Sequence, residues 1–401
     1  MIAAAFAAEN KSTEVTVLEK NDALGKKLAI TGKGRCNLTN ASDAAEIMAN
    51  VPTNAEFLHS CLRGFGSAAL MDFFISRGVP LKVERGGRVF PESDRAGDIV
   101  GALKKILNER KVLIRYKSPA ESLIIKDEGV VGVQLRNGEK VFADAVLIST
   151  GGASYPQTGS SGDGYGIAKR AGHSIIEPRP SLVPLITEEK WVSELEGLTL
   201  KNIAVSLYEN EKKIFSESGE MLFTDRGVSG PVVLTASRFV TDNPGKNVFI
   251  SIDLKPGLDE TVLDNRLRRD FAENINRDFK NSLSELFPKR LIPVMVKLSM
   301  IDENKKVNSI TKDERKKLLE TIKNLRLKII GTEGFEHSVV TRGGVSVREI
   351  NPKTMESRLC RGLYFAGEII DIDAFTGGYN LQIAFSTGVC AGRSMAGCTG
   401  A

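Results

Sequence analysis

The chain has 401 residues, enough for two or three domains, and its 41% hydrophobic and 26% charged content is that of a globular protein, not a disordered or fibrous one. No apolar run approaches the roughly 20 residues of a membrane span, and the opening Met1–Ala8 has no basic stretch of the secretory kind, so no membrane association and a cytoplasmic location are expected. The net charge is +5, and residues 258–330, with 17 Lys and Arg against 12 Asp and Glu, carry an excess of the same size; without interleaved aromatics, that segment reads as a solvated helical face and not as a nucleic-acid surface.

Residues 1–10 read as an Ala-rich helix, followed by a buried parallel-type strand over 14–20 that ends in an acid, Glu19. Helix, strand, then acid is the second half of a βαβ dinucleotide unit, in which G-x-G-x-x-G precedes the helix. On that pattern the first strand and its glycines fall immediately before Met1, and the chain reads as truncated there. The loop Gly25–Asn40 packs three glycines and four basic residues into a short span, a composition suited to a pyrophosphate. Cys36 lies inside it with no partner cysteine or base in view, and reads as a small passive residue. Helices are predicted over 54–80 and 94–109. Short strands follow at 112–116, 123–126, 130–136 and 141–142, with a turn at Asn137-Gly138. A further buried strand runs from Ala145 into Thr150-Gly151-Gly152, and 164–171 reads as the next helix.

Three prolines between Pro178 and Pro184 mark a crossing between domains. Residues 185–255 alternate in a β manner. Ser229-Gly230-Pro231 reads as a helix start. Residues 258–330 turn helical, with capping boxes expected at Ser282/Glu285 and Thr311/Glu314. Strand character returns over 331–360. A short apolar run, Leu363 to Ala366, then breaks at Gly367-Glu368, an acidic loop carries Asp371 and Asp373, and Gly377-Gly378 opens a helix over 379–389. Glycines admit close approach of a ligand, and a helix start offers unpaired N–H groups and a positive dipole end. The order implies an α/β fold: a Rossmann-like dinucleotide-binding domain in two segments, 1–180 and 336–401, with a β-rich substrate domain at 181–257 and a helical, basic insertion at 258–335. The five cysteines form no C-x-x-C pair and the three histidines are isolated, so neither a disulfide framework nor a metal site is expected. No nucleophile elbow is present.

Six ordered motifs carry a resemblance through essentially the whole chain. They are Gly25-Lys-Lys-Leu-Ala-Ile-Thr-Gly-Lys-Gly-Arg-Cys-Asn-Leu-Thr-Asn40, Gly87-Arg-Val-Phe-Pro91, Ser181-Leu-Val-Pro-Leu185, Leu222-Phe-Thr-Asp-Arg-Gly-Val-Ser-Gly-Pro231, Thr341-Arg-Gly-Gly-Val345, and Gly367-Glu-x-x-Asp371 with Gly377-Gly-Tyr-Asn-Leu-Gln382. Together they resemble the YhiN/BaiN-type flavoproteins, FAD-binding enzymes of the aminoacetone oxidase family. The resemblance implies a flavin-dependent oxidoreductase with FAD in the two-segment domain, a β-barrel-like insert and a small helical piece. It implies that Glu19 holds the adenosine ribose and that Lys20 and Lys27 lie near the adenosine and diphosphate. Gly32, Gly34, Arg35, Cys36 and Asn37 would line the flavin side, and Thr150, Gly151 and Gly152 would pass near the adenosine. Gly367, Glu368 and Asp371 would border the ribityl and diphosphate. Gly377, Gly378, Tyr379, Asn380, Leu381 and Gln382 would set a helix start against the pyrimidine edge of the ring. No catalytic acid or base is assigned. The reaction expected is hydride transfer between a small organic substrate and flavin N5, of the amine or aminoketone oxidase type. The alternative is reduction of an enone or steroid-like substrate with NAD(P)H as a candidate donor. The non-enzymatic alternative is a flavin-poor remnant. The oligomeric state is unassigned.

Overall fold

A computed structural model describes residues 1–240 and 247–397. Cys398, the fifth cysteine, lies outside them. The chain forms two compact units, one built from residues 1–181 and 335–401, the other from 182–334.

In the first unit, parallel pairing appears twice: Thr16–Leu18 beside Leu113–Arg115, and Val146–Ile148 beside Leu363–Phe365. The two pairs are separate sheets. Val17, Leu18, Val146 and Leu147 are only half-buried, unlike the fully buried strand Leu363–Phe365. Two helices flank the pairs. Ile2–Ala7 packs against the long C-terminal helix Tyr379–Met395, where Gly388 and Gly392 let it close in: a Cβ on Gly392 would stand 2.3 Å from the Ala3 carbonyl oxygen. A core of Phe6, Phe65, Phe73, Phe74 and Phe385 fills one side, in edge-to-face and stacked contacts. The predicted strands 123–126 and 130–136 form as a hairpin, Ala120–Lys126 against Gly129–Leu135. Its two-residue turn, Asp127-Glu128, takes the left-handed conformation at both positions without a glycine.

The second unit is a closed six-stranded antiparallel barrel, in the order Leu185–Thr187, Gly227–Ser229, Lys212–Phe223, Thr199–Glu209, Val248–Asp253, Leu325–Thr332. Along Thr199–Glu209, Ile203, Val205 and Leu207 alternate inward and are buried. Between the fifth and sixth strands the chain makes the helices Glu260–Glu273, Phe279–Ser282, Ile292–Ser299 and Lys312–Lys323. Leu263, Leu267 and Phe271, four residues apart, lie in the same core as the barrel's Val205 and Leu207. Part of the positive charge of this stretch is held in ion pairs, among them Arg315–Asp264, Lys305–Glu314 and Lys323–Asp253.

Of the two capping boxes expected here, one forms. Thr311 accepts from the Glu314 N–H while Glu314 accepts from the Thr311 N–H. Ser282 instead ends a short helix and donates to the Phe279 carbonyl, because no helix starts after it. Pro231 does stand at the first helical position of Pro231–Ser237.

Candidate functional site

The loop after the first strand and the loop before the last helix, more than 300 residues apart in sequence, are tied together by side chains. Lys27 Nζ lies 2.6 Å from Glu368 Oε2 and 2.7 Å from Ser154 Oγ. The other Glu368 oxygen accepts from Ser154 Oγ (2.9 Å) and the Thr341 N–H (2.8 Å). Thr341 Oγ1 in turn accepts from the Ala153 and Ser154 N–H groups. Gly152 is needed for this arrangement, since a Cβ there would stand 2.4 Å from Thr341 Oγ1. Lys27, Gly151, Gly152, Ser154, Thr341 and Glu368 are thus one cluster, with Thr150 and Gly367 adjoining it in sequence. Asp371 joins its loop to another segment by accepting from Asn54 Nδ2.

A second cluster surrounds the end of the first strand. Glu19 Oε1 accepts from the Asn21 N–H (2.8 Å) and Nδ2 (2.9 Å), and its other oxygen makes no hydrogen bond among the described residues. Lys20 pairs with Asp163 at 2.8 Å and with the Ser161 hydroxyl. A cavity of about 520 Å³ opens here, lined by Lys20, Asn21, Pro119, Arg136 and Asp163 among others.

The third cluster is the start of the C-terminal helix. Gly377 and Gly378 both have positive φ, 132° and 102°. A Cβ on Gly378 would stand 2.3 Å from the Thr39 carbonyl oxygen. With its amide turned to satisfy both ends, Asn37 accepts from the Gly378 N–H at 3.0 Å.

Several residues expected to face a ring serve the fold directly. Gln382 is fully buried beneath the helix start. Asn380 braces its own loop, accepting from the Ala374 N–H and donating to the Ala374 carbonyl. Tyr379 is buried, with its ring against Gly377. Leu381 packs on the aromatic core. Arg35 turns to the hairpin Leu81–Pro91, pairing with Asp94 (2.6 Å) and Glu84 and lying over the Phe90 ring at 4.2 Å. That contact holds the Glu84 carboxyl below its usual range; Lys82 and Arg35 do the same for Asp94. The pairing anchors a loop in which Gly32, Lys33, Gly34 and Cys36 are all left-handed. Gly32 and Lys33 are its exposed members. Burial pushes the Cys36 thiol up to about 12, so it is a packing residue and not a nucleophile.

Ser154 and Asn54 were not singled out in the sequence, and Thr39 and Thr341 stood only inside motifs, without a role of their own. Their partners lie up to 343 residues away, and no local pattern announces such contacts. Among the described residues no group of His, Cys, Asp and Glu could hold a metal ion, and no helix is long and apolar enough to cross a membrane.

The family model described as the HI0933-like protein Rossmann domain matches residues 1–394. The chain belongs to the HI0933-like family. It is a flavin-dependent oxidoreductase with a Rossmann-type nucleotide-binding domain. This HI0933-like chain is 33% identical over 402 residues to a 3-dehydro-bile acid delta(4,6)-reductase of Clostridium scindens, covering 98% of this chain and 95% of the relative. It is 32% identical to a ribosomal RNA dihydrouridine synthase of Escherichia coli, covering 93% and 90%. In fold it is similar to a 3-ketosteroid delta1-dehydrogenase from Sterolibacterium denitrificans, at a TM-score of 0.52 and 12% identity over 99% of this chain and 97% of that one.

The residues present fit a flavin dinucleotide. One Glu19 carboxylate oxygen has no hydrogen bond among the described residues, and a roomy cavity lies beside Lys20. The Tyr165 hydroxyl is buried without a partner among the described residues, and burial, then Glu368 and Asp371, raise its pKa. Buried polar groups of that kind are rare unless something outside the chain meets them.

Proposed function

We propose that this protein reduces a carbon–carbon double bond conjugated with a carbonyl group, in a small cyclic substrate, with NAD(P)H as the electron donor and FAD held by residues 19–40 and 367–382. The observation that carries the placement of the flavin is the interlock of those two segments through Lys27–Glu368, Asn37–Gly378 and Asn40–Gly377. The substrate class is supported by what the two relatives' names have in common. A delta(4,6)-reductase of a 3-dehydro-bile acid and a dihydrouridine synthase both add hydrogen across a ring double bond in conjugation with a carbonyl.

Bound FAD would supply the hydride, delivered from N5. The chain would supply the rest. Glu19, with one oxygen free, accepts from ribose hydroxyls. Lys27, held by Glu368 and Ser154, places a positive charge beside the glycine turn 151–152. The helix start at Gly378 offers N–H groups and a positive dipole end. Of the two relatives' substrate types, the steroid-like one is favoured, because many of the basic residues of 258–330, among them Arg268, Lys305 and Arg315, are held in ion pairs.

The test is stopped-flow oxidation of the anaerobically reduced enzyme, followed by flavin absorbance. Reoxidation by a 3-keto-4,6-diene steroid faster than by air is expected. Rapid reoxidation by air with no response to the dienone would support the amine oxidase type instead. A response only to uridine-containing RNA would move the substrate to the other relative's class.

A further inference from the structure

Beneath the first turn of the C-terminal helix lies a sealed polar network. Thr39 Oγ1 donates to Gln382 Oε1 at 2.6 Å. Gln382 Nε2 donates to the Phe65 carbonyl (3.1 Å) and to Ser386 Oγ (2.8 Å), and Ser386 Oγ donates to the same carbonyl at 2.7 Å. Thr39, Gln382 and Ser386 are all 0% exposed. Every polar atom of the Gln382 amide is used, so the network is neutral and closed. Nearby, Asn40 Nδ2 donates to the carbonyls of Gly377 (3.1 Å) and Gly86 (2.9 Å), so strand Thr39–Asn40 grips the helix start from outside while Gln382 grips it from within.

An apolar side chain could fill the volume of Gln382 at no cost in burial. What it could not do is fix a direction. Hydrogen bonds are angular, and a buried network has one arrangement in which all members are satisfied. Gln382 sits one turn into the helix, so its tether to Thr39 sets the tilt and rotation of the first turn against the loop that carries Asn37. The dipole of a helix acts within about its first turn, so a small rotation there changes the potential at whatever lies before Gly378.

We infer that Gln382 is a positioning residue: through Thr39 and the Phe65 carbonyl it aims the helix start at the flavin and so tunes the flavin's electron affinity without touching it. The inference rests on the placement of FAD in the proposed function. Its test is the double variant Thr39→Val/Gln382→Leu, which removes both partners together and so leaves few polar groups stranded. Flavin content, midpoint potential and steady-state constants are measured on the holoenzyme. The expected result is a variant that stays yellow, with a more negative midpoint potential and kcat lowered about tenfold, the size of a lost helix-terminus interaction, while KM changes less than about twofold. An unchanged potential and kcat in a yellow variant would overturn the inference. Should the double variant fail to fold, Thr39→Val alone is read on the same scale, and Thr39→Ser, which keeps the hydroxyl, should restore the potential; failure of Thr39→Ser to do so would equally overturn it. A colourless wild-type protein that takes up no added FAD would instead sink the underlying placement.

Discussion

Gly378 has no room for even a methyl group. Its φ of 102° is one that L side chains rarely adopt, and a Cβ would meet the Thr39 carbonyl oxygen at 2.3 Å. Gly378→Ala should therefore cost about 1–3 kcal/mol in urea unfolding, and it should also lower the flavin content of the purified protein. His173 is the other residue whose behaviour follows from its surroundings. It is buried, its Nε2 lies 2.8 Å from Ser357 Oγ, and its ring meets Phe365 edge-on. Ser357 Oγ already accepts from two N–H groups, so its own proton goes to Nε2, and the imidazole is neutral with its proton on Nδ1. Burial lowers its pKa from 6.5, and Glu349 opposes this only in part. The unfolded chain thus binds the proton more readily than the folded one. The stability contributed is present above pH about 6.5 and lost as pH falls through the lowered value. Thermal melts at pH 8 and 5.5 should show a larger loss for wild type than for His173→Gln; equal losses would contradict the assignment.

At the scale of elements, short-range signals were the legible ones. The box at Thr311 was readable because all of its parts lie within one turn, and Thr311→Ala should cost about 1 kcal/mol in chemical denaturation. The same pattern at Ser282 failed because tertiary packing ended the helix where a local rule would start one. Glycine pairs at 151–152 and 377–378, the acid at 19 and the helix after 378 were likewise visible, since each depends on its neighbours in sequence. The polar partners of Glu368 and Gln382 were not. Ser154, Thr341 and Thr39 are ordinary hydroxyl residues whose meaning comes only from a contact across hundreds of residues. Arg35 was legible as a residue of the loop, but its partners were not. Its place in a basic, glycine-spaced loop suggested a ligand contact, while Glu84 and Asp94, remote in sequence, take it up as an anchor.

For the whole molecule, what matters is that the nucleotide unit is assembled from both ends of the chain, with residues 182–334 forming a barrel and helices on one shared core. The candidate site lies where the early and late segments meet, and the Lys27–Glu368 pair is a direct charged link between them across 341 residues of sequence. FAD affinity measured by titration of the apoprotein, in a cycle of Lys27→Met, Glu368→Gln and the double variant, tests this most directly. Each single change should weaken binding about tenfold or more, and the double should lose clearly less than the product of the two, because both remove one link. Wild-type affinity in both single variants would contradict the account.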